Sequence, residues 1–410
     1  MDWDVVVVGA GAAGLLAAAR AAERGRRTLL LEKNRRPGAK ILISGGGRCN
    51  LTHATDRRGI VAAFGAPGRF LNAALGALGP AELVALVEAE GVATKVADSG
   101  KVFPASDRAA DVLEALLRRL GRSGCEQAFE EPVAGLVPGD DGIRIRTTRR
   151  TLLAGQVIVA TGGRSYPGCG TTGDAYGWLA ALGHTVVPPR PALTPVTTGA
   201  RWVSELSGLT VPDVGVRVMP AGSHRGCLAH RRGSFLFTHF GLSGPAVLDV
   251  SRAVSGHLDP TTLELECDFM PGLAAEELDQ LLRREFAAHP RKQLATLAIE
   301  PFPRRLTELL VQRLGLAPDL RAAEVFRDDR RRLIAALKGT RIPVKGTLGF
   351  DRAEVTAGGV ALDEVDPRTM QSHLVPGLFL AGEILDLDGP IGGFNFQAAF
   401  STGWLAGTQV

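Results

Sequence analysis

The chain has 410 residues, of which 45% are hydrophobic and 22% charged, a composition typical of a soluble globular protein with two or three domains. Five cysteines without C-x-x-C spacing argue against zinc, iron–sulfur clusters and disulfides, so no metal site and a reducing cytoplasmic location are predicted. The net charge is only +4, and the longest arginine run, Arg330–Arg332, lacks interleaved aromatic residues, so no nucleic-acid partner is predicted. The N-terminal apolar run follows Asp2 and Asp4 and is interrupted by glycines, which indicates neither a signal peptide nor a membrane span.

The first predicted element is a strand–turn–helix–strand unit. Val5–Val8 predict a buried strand, a helix follows to about Arg24, and a second strand at Thr28–Leu31 ends at Glu32. The turn has G-x-G-x-x-G spacing, formed by Gly9, Gly11, Ala12, Ala13 and Gly14. Such a turn brings backbone N–H groups to a pyrophosphate, and the acid 18 residues later can bind ribose hydroxyls. The unit predicts a dinucleotide site for FAD or NAD rather than NADP.

A second glycine-rich stretch follows a basic loop that contains Lys33 and Lys40. Its residues are predicted to contact a flat or anionic ligand through free backbone N–H groups: Ser44, Gly45, Gly46, Gly47, Arg48, Cys49 and Asn50. A flexible surface loop is the alternative interpretation. Because Cys49 has no partner at disulfide-reductase spacing, it is interpreted as a small loop residue rather than a nucleophile.

The next segments are predicted helices at Ala81–Glu90 and Ala109–Arg122, followed by a buried strand within residues 152–163. This strand ends in a turn of small residues, where doubly wound folds bind ligands: Ala160, Thr161, Gly162 and Gly163. A second G-x-G-x-x-G at residues 168–173 follows no buried strand and leads to no terminal acid. No second nucleotide domain is therefore predicted, although this loop could touch cofactor or substrate.

A run of prolines near residue 190 marks a domain boundary. Beyond it, short alternating stretches predict a small β domain, and residues 274–337 are predicted to be helical, with a last helix at 319–337. The β domain contains His239, our acid–base candidate because histidine exchanges protons near neutral pH, and Ser243 as a weaker candidate. A structural histidine that caps the strand–turn is the alternative.

The end of the chain resembles its beginning. An apolar strand ends at Gly382 and Glu383, and a glycine turn then starts an alanine-rich helix, with candidate ligand contacts at Gly392, Gly393, Phe394, Asn395 and Gln397. Gly392 and Gly393 are predicted to leave free N–H groups at the positive end of a helix dipole, which would stabilise a pyrophosphate or a flavin carbonyl. Both ends of the chain are thus predicted to build one domain, and this second turn favours FAD over NAD.

As a set, these motifs resemble the YhiN/BaiN-type flavoproteins, also called the aminoacetone-oxidase family of FAD-binding enzymes. The motifs that carry the resemblance are residues 9–14, 44–50, 160–163, 237–239 with 243–245, 377–383 and 388–395. The resemblance implies an α/β fold with a Rossmann-like, glutathione-reductase-like FAD-binding domain, an inserted β-barrel-like domain and a small helical domain. The expected boundaries are 1–189 with 346–410, 190–270 with 338–345, and 271–337.

The resemblance also implies where FAD lies: pyrophosphate at Gly9–Gly14, ribose at Glu32, adenine near Val133, and isoalloxazine between Ser44–Asn50 and Gly392–Gln397. Phe394 stands where a tyrosine is usual, which puts a role for a hydroxyl there in question. The expected function is an FAD-dependent oxidoreductase, an NAD(P)H-linked reductase of a small or unsaturated organic substrate, with NAD(P)H docking transiently. An oxygen-using oxidase of an aminoacetone-like amine and a non-enzymatic, redox-responsive flavin-binding protein are the alternatives.

Overall fold

The computed structural model describes residues 1–297 and 302–410. Its strands are β1 (Trp3–Val8), β2 (Thr28–Leu31), β3 (Thr52–His53), β4 (Thr94–Val96), β5 (Lys101–Pro104), β6 (Glu126–Ala128), β7 (Val133–Gly139), β8 (Gly142–Thr147), β9 (Thr151–Val159), β10 (Val186–Ala192), β11 (Val196–Thr197), β12 (Thr210–Pro220), β13 (Ala229–Phe237), β14 (Gly241–Ser243), β15 (Leu263–Asp268), β16 (Thr340–Pro343), β17 (Gly346–Thr347), β18 (Val355–Val360) and β19 (Leu378–Leu380). Its helices are α1 (Ala12–Glu23), α2 (Ala39–Gly47), α3 (Arg57–Phe64), α4 (Asn72–Ala77), α5 (Pro80–Ala89), α6 (Ala109–Arg122), α7 (Asp174–Ala181), α8 (Arg201–Glu205), α9 (Pro245–Ser255), α10 (Ala275–Ala288), α11 (Arg304–Arg313), α12 (Arg327–Gly339) and α13 (Phe394–Gln409).

The chain forms two compact units. The first contains residues 1–191 and 350–410, and the second contains residues 192–349. Each unit has its own cluster of buried hydrophobic side chains. Every predicted cofactor-binding residue lies in the first unit, whereas His239 and Ser243 lie in the second.

The first unit is built on a mixed sheet with the strand order β6-β2-β1-β9. These four strands run parallel, and Val5–Val8 are almost fully buried, as expected where helices cover both faces of a parallel sheet. Two partners share the outer edge of β9: β8 pairs antiparallel with its first half and β19 pairs parallel with its second half. The parallel strands β1, β2, β9 and β19 therefore all end at one edge of the sheet.

Helices α1 and α13, from opposite ends of the chain, pack against each other through small residues. A Cβ atom added to Gly403 would lie 2.2 Å from the carbonyl oxygen of Ala13, and one added to Gly407 would lie 2.4 Å from that of Ala17. Real Cβ atoms do not approach a backbone oxygen so closely, so the two helix backbones touch. This contact brings the C-terminal glycine turn into the same unit as the N-terminal one.

The second unit contains an antiparallel sheet with the strand order β16-β15-β12-β13-β14-β11-β17. Its two outermost strands, β16 and β17, are separated by only two residues, so the sheet curls back on itself as a barrel-like layer. Leu278, Leu282 and Phe286 of α10 belong to the same buried cluster as Val214 and Phe235 of the sheet. The helices therefore share one core with the strands.

The helical part of this unit differs from the prediction at one end. The last helix, predicted from residue 319, begins at Arg327. Residues 320–322 instead bond to residues 292–294 through backbone hydrogen bonds, and Asp328 and Asp329 occupy the first turn of α12, where negative charge favours a helix start. Residues 298–301 of the predicted helical segment lie outside the described residues.

A bent pair of helical segments, Ala66–Ala77 and Pro80–Ala89, could cross a membrane by length and composition alone. Within the described residues, no single helix is long and apolar enough to do so.

We expect Gly403→Ala to destabilise the protein by roughly 1–3 kcal/mol, because its methyl group would force α13 away from the Ala13 backbone. Gly177→Ala in α7 is the matched control, because a Cβ there meets no atom within 4 Å and alanine should stabilise that helix by about 0.5–1 kcal/mol. Chemical denaturation of the full chain measures both changes. Equal effects of the two substitutions would show that the contact between α1 and α13 is not tight.

Candidate functional site

The edge at which the parallel strands end carries the predicted motifs. Gly9 follows β1, Glu32 follows β2, Ala160 follows β9, and Gly382 lies just beyond β19. In open α/β sheets, ligands bind outside the carboxyl ends of the strands. The fold therefore collects motifs that are up to about 370 residues apart in sequence.

The glycines of the first turn have separate physical roles. A Cβ added to Gly14 would lie 1.8 Å from the carbonyl oxygen of Gly9, so Gly14 is required for close packing of α1 on the turn. A Cβ added to Gly11 meets no atom within 4 Å. Gly11 is also the N-cap of α1 and gives it no side-chain cap, so the first N–H groups of α1, which include those of Ala12 and Ala13, have no acceptor in the helix. This open space beside free donors fits a pyrophosphate.

The Glu32 carboxylate is hydrogen-bonded to the backbone of the two turns that follow β1 and β2. Its two carboxylate oxygens accept hydrogen bonds from the N–H groups of Ala10, at 2.7 Å, and Asn34, at 2.8 Å. Each carboxylate oxygen has a further lone pair, so Glu32 can still accept ribose hydroxyls. The backbone oxygen of Glu32 also accepts the N–H of Glu131, which places the segment leading to the half-buried Val133 beside the predicted adenosine position.

The second G-x-G-x-x-G stretch folds over the loop that follows Glu32. Lys33 forms an ion pair with Asp174 at 2.5 Å, and the Asn34 amide donates to the Cys169 carbonyl at 3.0 Å. Burial disfavours ionisation of Asp174, but its hydrogen bonds with Lys33 and Thr172 outweigh burial and lower its pKa. Lys33, a predicted cofactor contact, thus has an ionic partner within the protein. The stretch begins inside a short 3₁₀ turn, Pro167–Cys169, and does not directly follow a strand.

The turn after β9 carries an unpartnered polar atom. The hydroxyl of Thr161 is buried and has no hydrogen-bond partner in the described structure. The carbonyl oxygen of Ala160 packs against Gly9, since a Cβ there would approach it to 2.6 Å. A buried hydroxyl without a partner is unfavourable, which fits a ligand group at this edge, beside Gly162 and Gly163.

The Ser44–Asn50 stretch was predicted as a loop, but its first part is the distorted end of α2. Gly45, Gly46 and Gly47 have left-handed backbone angles, with φ of 57°, 69° and 83°. The glycines are exposed, and so are Leu42 and Ile43 next to them. An exposed apolar pair beside bare backbone suits a flat, largely apolar ring such as isoalloxazine.

Cys49 and Arg48 face different surroundings. Cys49 is fully buried, and burial raises the pKa of its thiol from 9.0 to about 12, so the thiol stays neutral near pH 7 and is a poor nucleophile. Arg48 stacks its guanidinium over the Phe103 ring at 4.5 Å and donates to the Gly45 carbonyl at 3.2 Å. Arg48 thereby fixes the glycine segment.

The C-terminal turn corrects one prediction. The N–H of Gly393, predicted to be free, donates to the side-chain oxygen of Asn50 at 2.9 Å. The first bond within α13 runs from the N–H of Gln397 to the Gly393 carbonyl, so the N–H groups of residues 394–396 have no acceptor in the helix. The free donors at the start of α13 are therefore those of residues 394–396 and not that of Gly393, because Asn50 occupies the Gly393 N–H.

Two predicted contacts in this turn have structural partners. The fully buried Gln397 amide bonds to the Thr52 hydroxyl, the Leu78 carbonyl and the Ser401 hydroxyl. The Asn395 amide bonds to both backbone groups of Gly389, at 2.8 and 3.0 Å. In this arrangement both side chains hold the turn in place rather than point free groups at a ligand.

Lys40 and Glu383 form an ion pair at 2.6 Å. The other Glu383 oxygen accepts from the Ser165 hydroxyl at 2.6 Å and the Thr356 N–H at 2.7 Å. Both charged side chains are about one-fifth exposed, at 23% and 19%. The pair joins α2 to the end of β19 and leaves a partly accessible ammonium and carboxylate near the glycine segment.

A serine–histidine–glutamate arrangement also occurs in this unit. His184 bonds to Glu364 at 3.0 Å and to the Ser372 hydroxyl at 2.9 Å. The same hydroxyl accepts the N–H groups of Leu374 and Val375, and both Ser372 and His184 are buried. With its lone pairs occupied and no access to solvent, Ser372 is a structural residue and not a hydrolytic nucleophile.

The acid–base candidates lie in the second unit. His239 and Phe240 form the tip of a tight turn closed by hydrogen bonds between Thr238 and Gly241. His239 is exposed and contacts the Phe240 ring edge-on at 4.9 Å. The turn is closed by Thr238 rather than by the imidazole, which leaves His239 available to solvent. Ser243 is half-buried on β14 and pairs with Leu236.

Sequence reasoning missed the residues that hold the motifs together. Thr52 and His53 bond to the C-terminal turn, and Ser165 and Thr356 bond to Glu383. The only signal in the sequence was that Asn50, Thr52 and His53 are polar residues directly after a ligand motif.

The sheet edge thus combines free N–H groups at one helix N-terminus, a carboxylate with spare lone pairs and a second helix N-terminus, which are the features of a dinucleotide-dependent protein of the FAD-binding class. Residues 3–409 match the model of the HI0933-like protein Rossmann domain. The chain belongs to this family, its cofactor is FAD, and it is an FAD-dependent oxidoreductase.

Two curated relatives match along nearly their whole length. The ribosomal RNA dihydrouridine synthase of Escherichia coli (strain K12) is 33% identical over 405 residues, which cover 98% of this chain and 96% of that protein. The 3-dehydro-bile acid delta(4,6)-reductase of Clostridium scindens is 31% identical over 404 residues, which cover 98% of this chain and 97% of that protein.

Solved structures share the fold at low identity. The quinol fumarate reductase of E. coli has a TM-score of 0.52 and 16% identity, covering 100% of this chain and 70% of that one. A 3-ketosteroid-delta4-(5alpha)-dehydrogenase from Rhodococcus jostii has a TM-score of 0.50 and 16% identity, and the match covers 99% of this chain and 96% of that one. At such identities the likeness shows the fold alone.

We expect Gly11→Val to weaken FAD binding at least tenfold and to change the unfolding free energy of the apoprotein by no more than about 0.5 kcal/mol. The added side chain meets no protein atom within 4 Å at its Cβ, but it fills the space in front of the free N–H groups of α1. Fluorescence titration of the apoprotein with FAD measures the affinity, and denaturation measures stability. Gly14→Val is the contrasting variant and should lose stability first, since its Cβ would overlap the Gly9 carbonyl. Unchanged FAD affinity in Gly11→Val would contradict a pyrophosphate at this turn.

Proposed function

We propose that the protein is an NAD(P)H-linked flavin reductase of a carbon–carbon double bond conjugated to a carbonyl group, and that its substrate is a uracil ring in RNA. The observation that carries the proposal is the pair of full-length relatives. One is named for making dihydrouridine, which is uridine with the C5=C6 bond reduced, and the other is named as a reductase of delta(4,6) bonds. The two substrates differ, but the bond type is common to both.

The chemistry requires two electrons and two hydrogens. A hydride adds to one carbon of the C5=C6 bond and a proton to the other, so the double bond becomes single while NAD(P)H is oxidised to NAD(P)⁺. FAD, when bound, supplies the hydride transfer between the two partners. The reaction also needs a proton donor, for which His239 is our candidate because its imidazole is exposed and can carry an exchangeable proton.

The contribution of the FAD-binding unit is electrostatic. The N–H groups of residues 394–396 have no acceptor in α13 and lie at the positive end of its dipole. Donors held in advance where negative charge develops stabilise that charge without reorganisation. We propose that the free N–H groups of this turn favour the reduced form of FAD, which is the form that delivers the hydride.

The distribution of charge supports an RNA substrate, although the sequence alone predicted no nucleic-acid partner. Residues 192–349 contain 21 Lys and Arg against 17 Asp and Glu, so the second unit carries the whole net charge of +4. On the β12–β13 hairpin, Arg217 and Arg232 are paired with Glu266 and Asp213. The exposed hairpin end of residues 222–232 consists of the loop after β12 and the start of β13, and its Arg225 and Arg231 pair with no carboxylate among the described residues.

This hairpin end also carries two exposed histidines, His224 in the loop and His230 on β13. Unpaired arginines bind phosphates, and histidine rings and guanidinium planes stack on unpaired bases. The hairpin end of residues 222–232 therefore has guanidinium and imidazole groups that can bind single-stranded RNA, and we propose it as an RNA contact.

The substrate is tested with the purified FAD-loaded protein, an in vitro transcript of ribosomal RNA and anaerobic NADH or NADPH. We expect one nicotinamide to bleach the flavin spectrum, and mass spectrometry of the digested RNA to show a uridine that has gained two hydrogens. Heat-denatured protein is the control. A 4,6-dien-3-one steroid and an aminoacetone-like amine are assayed in parallel. Reduction of the steroid alone would retain the chemistry and reject RNA, whereas peroxide release from the amine without either reduction would reject both.

We expect the double variant Arg225→Ala/Arg231→Ala to bind the RNA more weakly and with a smaller salt dependence. Log affinity falls as log salt concentration rises, and each lost phosphate contact should make this slope less steep by about 0.7. Filter binding at several salt concentrations measures this slope. Arg24→Ala/Arg26→Ala, with the same charge change on exposed residues of the first unit, is the matched control. Equal losses of RNA affinity in both double variants would indicate non-specific electrostatic attraction and would contradict an RNA contact by the hairpin end.

A further inference from the structure

Residues 50–53 are hydrogen-bonded to the turn before α13 and to the first turn of α13 itself. Asn50 accepts the Gly393 N–H, and the Thr52 hydroxyl bonds to the Gln397 amide oxygen. A Cβ on Gly393 would lie 2.4 Å from the Thr52 carbonyl oxygen, so the two backbones are in contact. The end of the Ser44–Asn50 motif and the residues directly after it thus hold the Gly392–Gln397 turn in place.

His53 makes the remaining contact of this junction. Its Nδ1 lies 3.1 Å from the carbonyl oxygen of Gly392. Because a carbonyl only accepts, Nδ1 must carry the proton and donate it. The imidazole also stacks on the Phe394 ring, with centroids 4.6 Å apart and planes at 21°. On another side a Cβ on Gly100 would come within 2.5 Å of Nε2, so the ring is closely enclosed.

The bond from His53 restrains the part of the turn with the most conformational freedom. Gly392 and Gly393 have φ of 134° and 95°, values that side chains other than glycine rarely allow. Two consecutive glycines do not fix the peptide plane between them by sterics alone. Hydrogen bonds from His53 to one side of this peptide and from Gly393 N–H to Asn50 on the other fix its orientation, and with it the direction of the N–H groups of residues 394–396.

We propose that His53 is a positioning residue for the flavin: it acts through the Gly392 carbonyl to aim the free N–H groups of α13, and so favours the reduced form of FAD over the oxidised form. Negative charge on the N1–C2=O edge is greater in the reduced ring. Correctly aimed donors therefore stabilise the reduced form more than the oxidised form. The inference rests on FAD binding and not on the proposed RNA substrate.

The test separates the hydrogen bond from the ring. His53→Asn keeps an N–H donor at the position of Nδ1, His53→Leu has nearly the same size as asparagine without a donor, and His53→Phe keeps the ring stack without a donor. The midpoint potential of each holoprotein is measured by anaerobic dye-equilibrated titration. Oxidised FAD affinity and thermal unfolding of each apoprotein are measured separately.

We expect His53→Leu and His53→Phe to lose about tenfold in affinity for reduced relative to oxidised FAD, which lowers the two-electron midpoint potential by about 30 mV. His53→Asn should stay within about twofold of the unmodified protein. His257→Phe, which removes an Nδ1 contact to the Asp259 carbonyl in the second unit, is the matched control and should shift nothing.

The outcomes decide the proposal. Equal shifts in His53→Asn and His53→Leu, or no shift in either, would overturn it, and so would a change in apoprotein stability that accounts for every difference. If His53→Phe does not fold, the Asn and Leu pair still decides. Failure of the RNA assay leaves this measurement intact, because it requires only bound FAD.

Discussion

The close contact between α1 and α13 is the constraint on which the site depends. Gly403 and Gly407 lie against the carbonyl oxygens of Ala13 and Ala17, so the first and last helices of the chain touch through their backbones. This contact and the pairing of β19 with β9 bring two helix N-termini to one unit. Without them, the chain would have two separate glycine turns and no place for a molecule as long as FAD.

The two helix N-termini differ in how many of their donors are free. At α1 an uncapped N-terminus faces open space at Gly11, which suits a permanent charge such as pyrophosphate. At α13 the first donor is already occupied by Asn50, and His53 holds the preceding carbonyl. We propose that the first turn binds the pyrophosphate and that the second stabilises the negative charge that increases when FAD is reduced.

Several conspicuous motifs turn out to be structural. The second G-x-G-x-x-G packs over Lys33 and Asn34, and the His184–Glu364–Ser372 arrangement is buried with the serine oxygen fully occupied. Burial and occupied hydrogen-bonding groups, and not residue types, decide between a reactive and a structural role. The same criterion makes Thr161 informative, since its hydroxyl is buried without a partner.

The sequence by itself determined the strand–turn–helix–strand unit, the candidate FAD motifs and the family, because glycine spacing and apolar runs act over a few residues. Only the tertiary structure decided that the Ser44–Gly47 stretch ends a helix, that α12 starts at Arg327, and that Asn50 takes the N–H of Gly393. The last two depend on partners far away in the chain: residues 292–294 for the start of α12, and Asn50 for the N–H of Gly393. Local patterns carry no record of such pairings, so the residues that hold the site together, His53 and Thr52 above all, become visible only after folding.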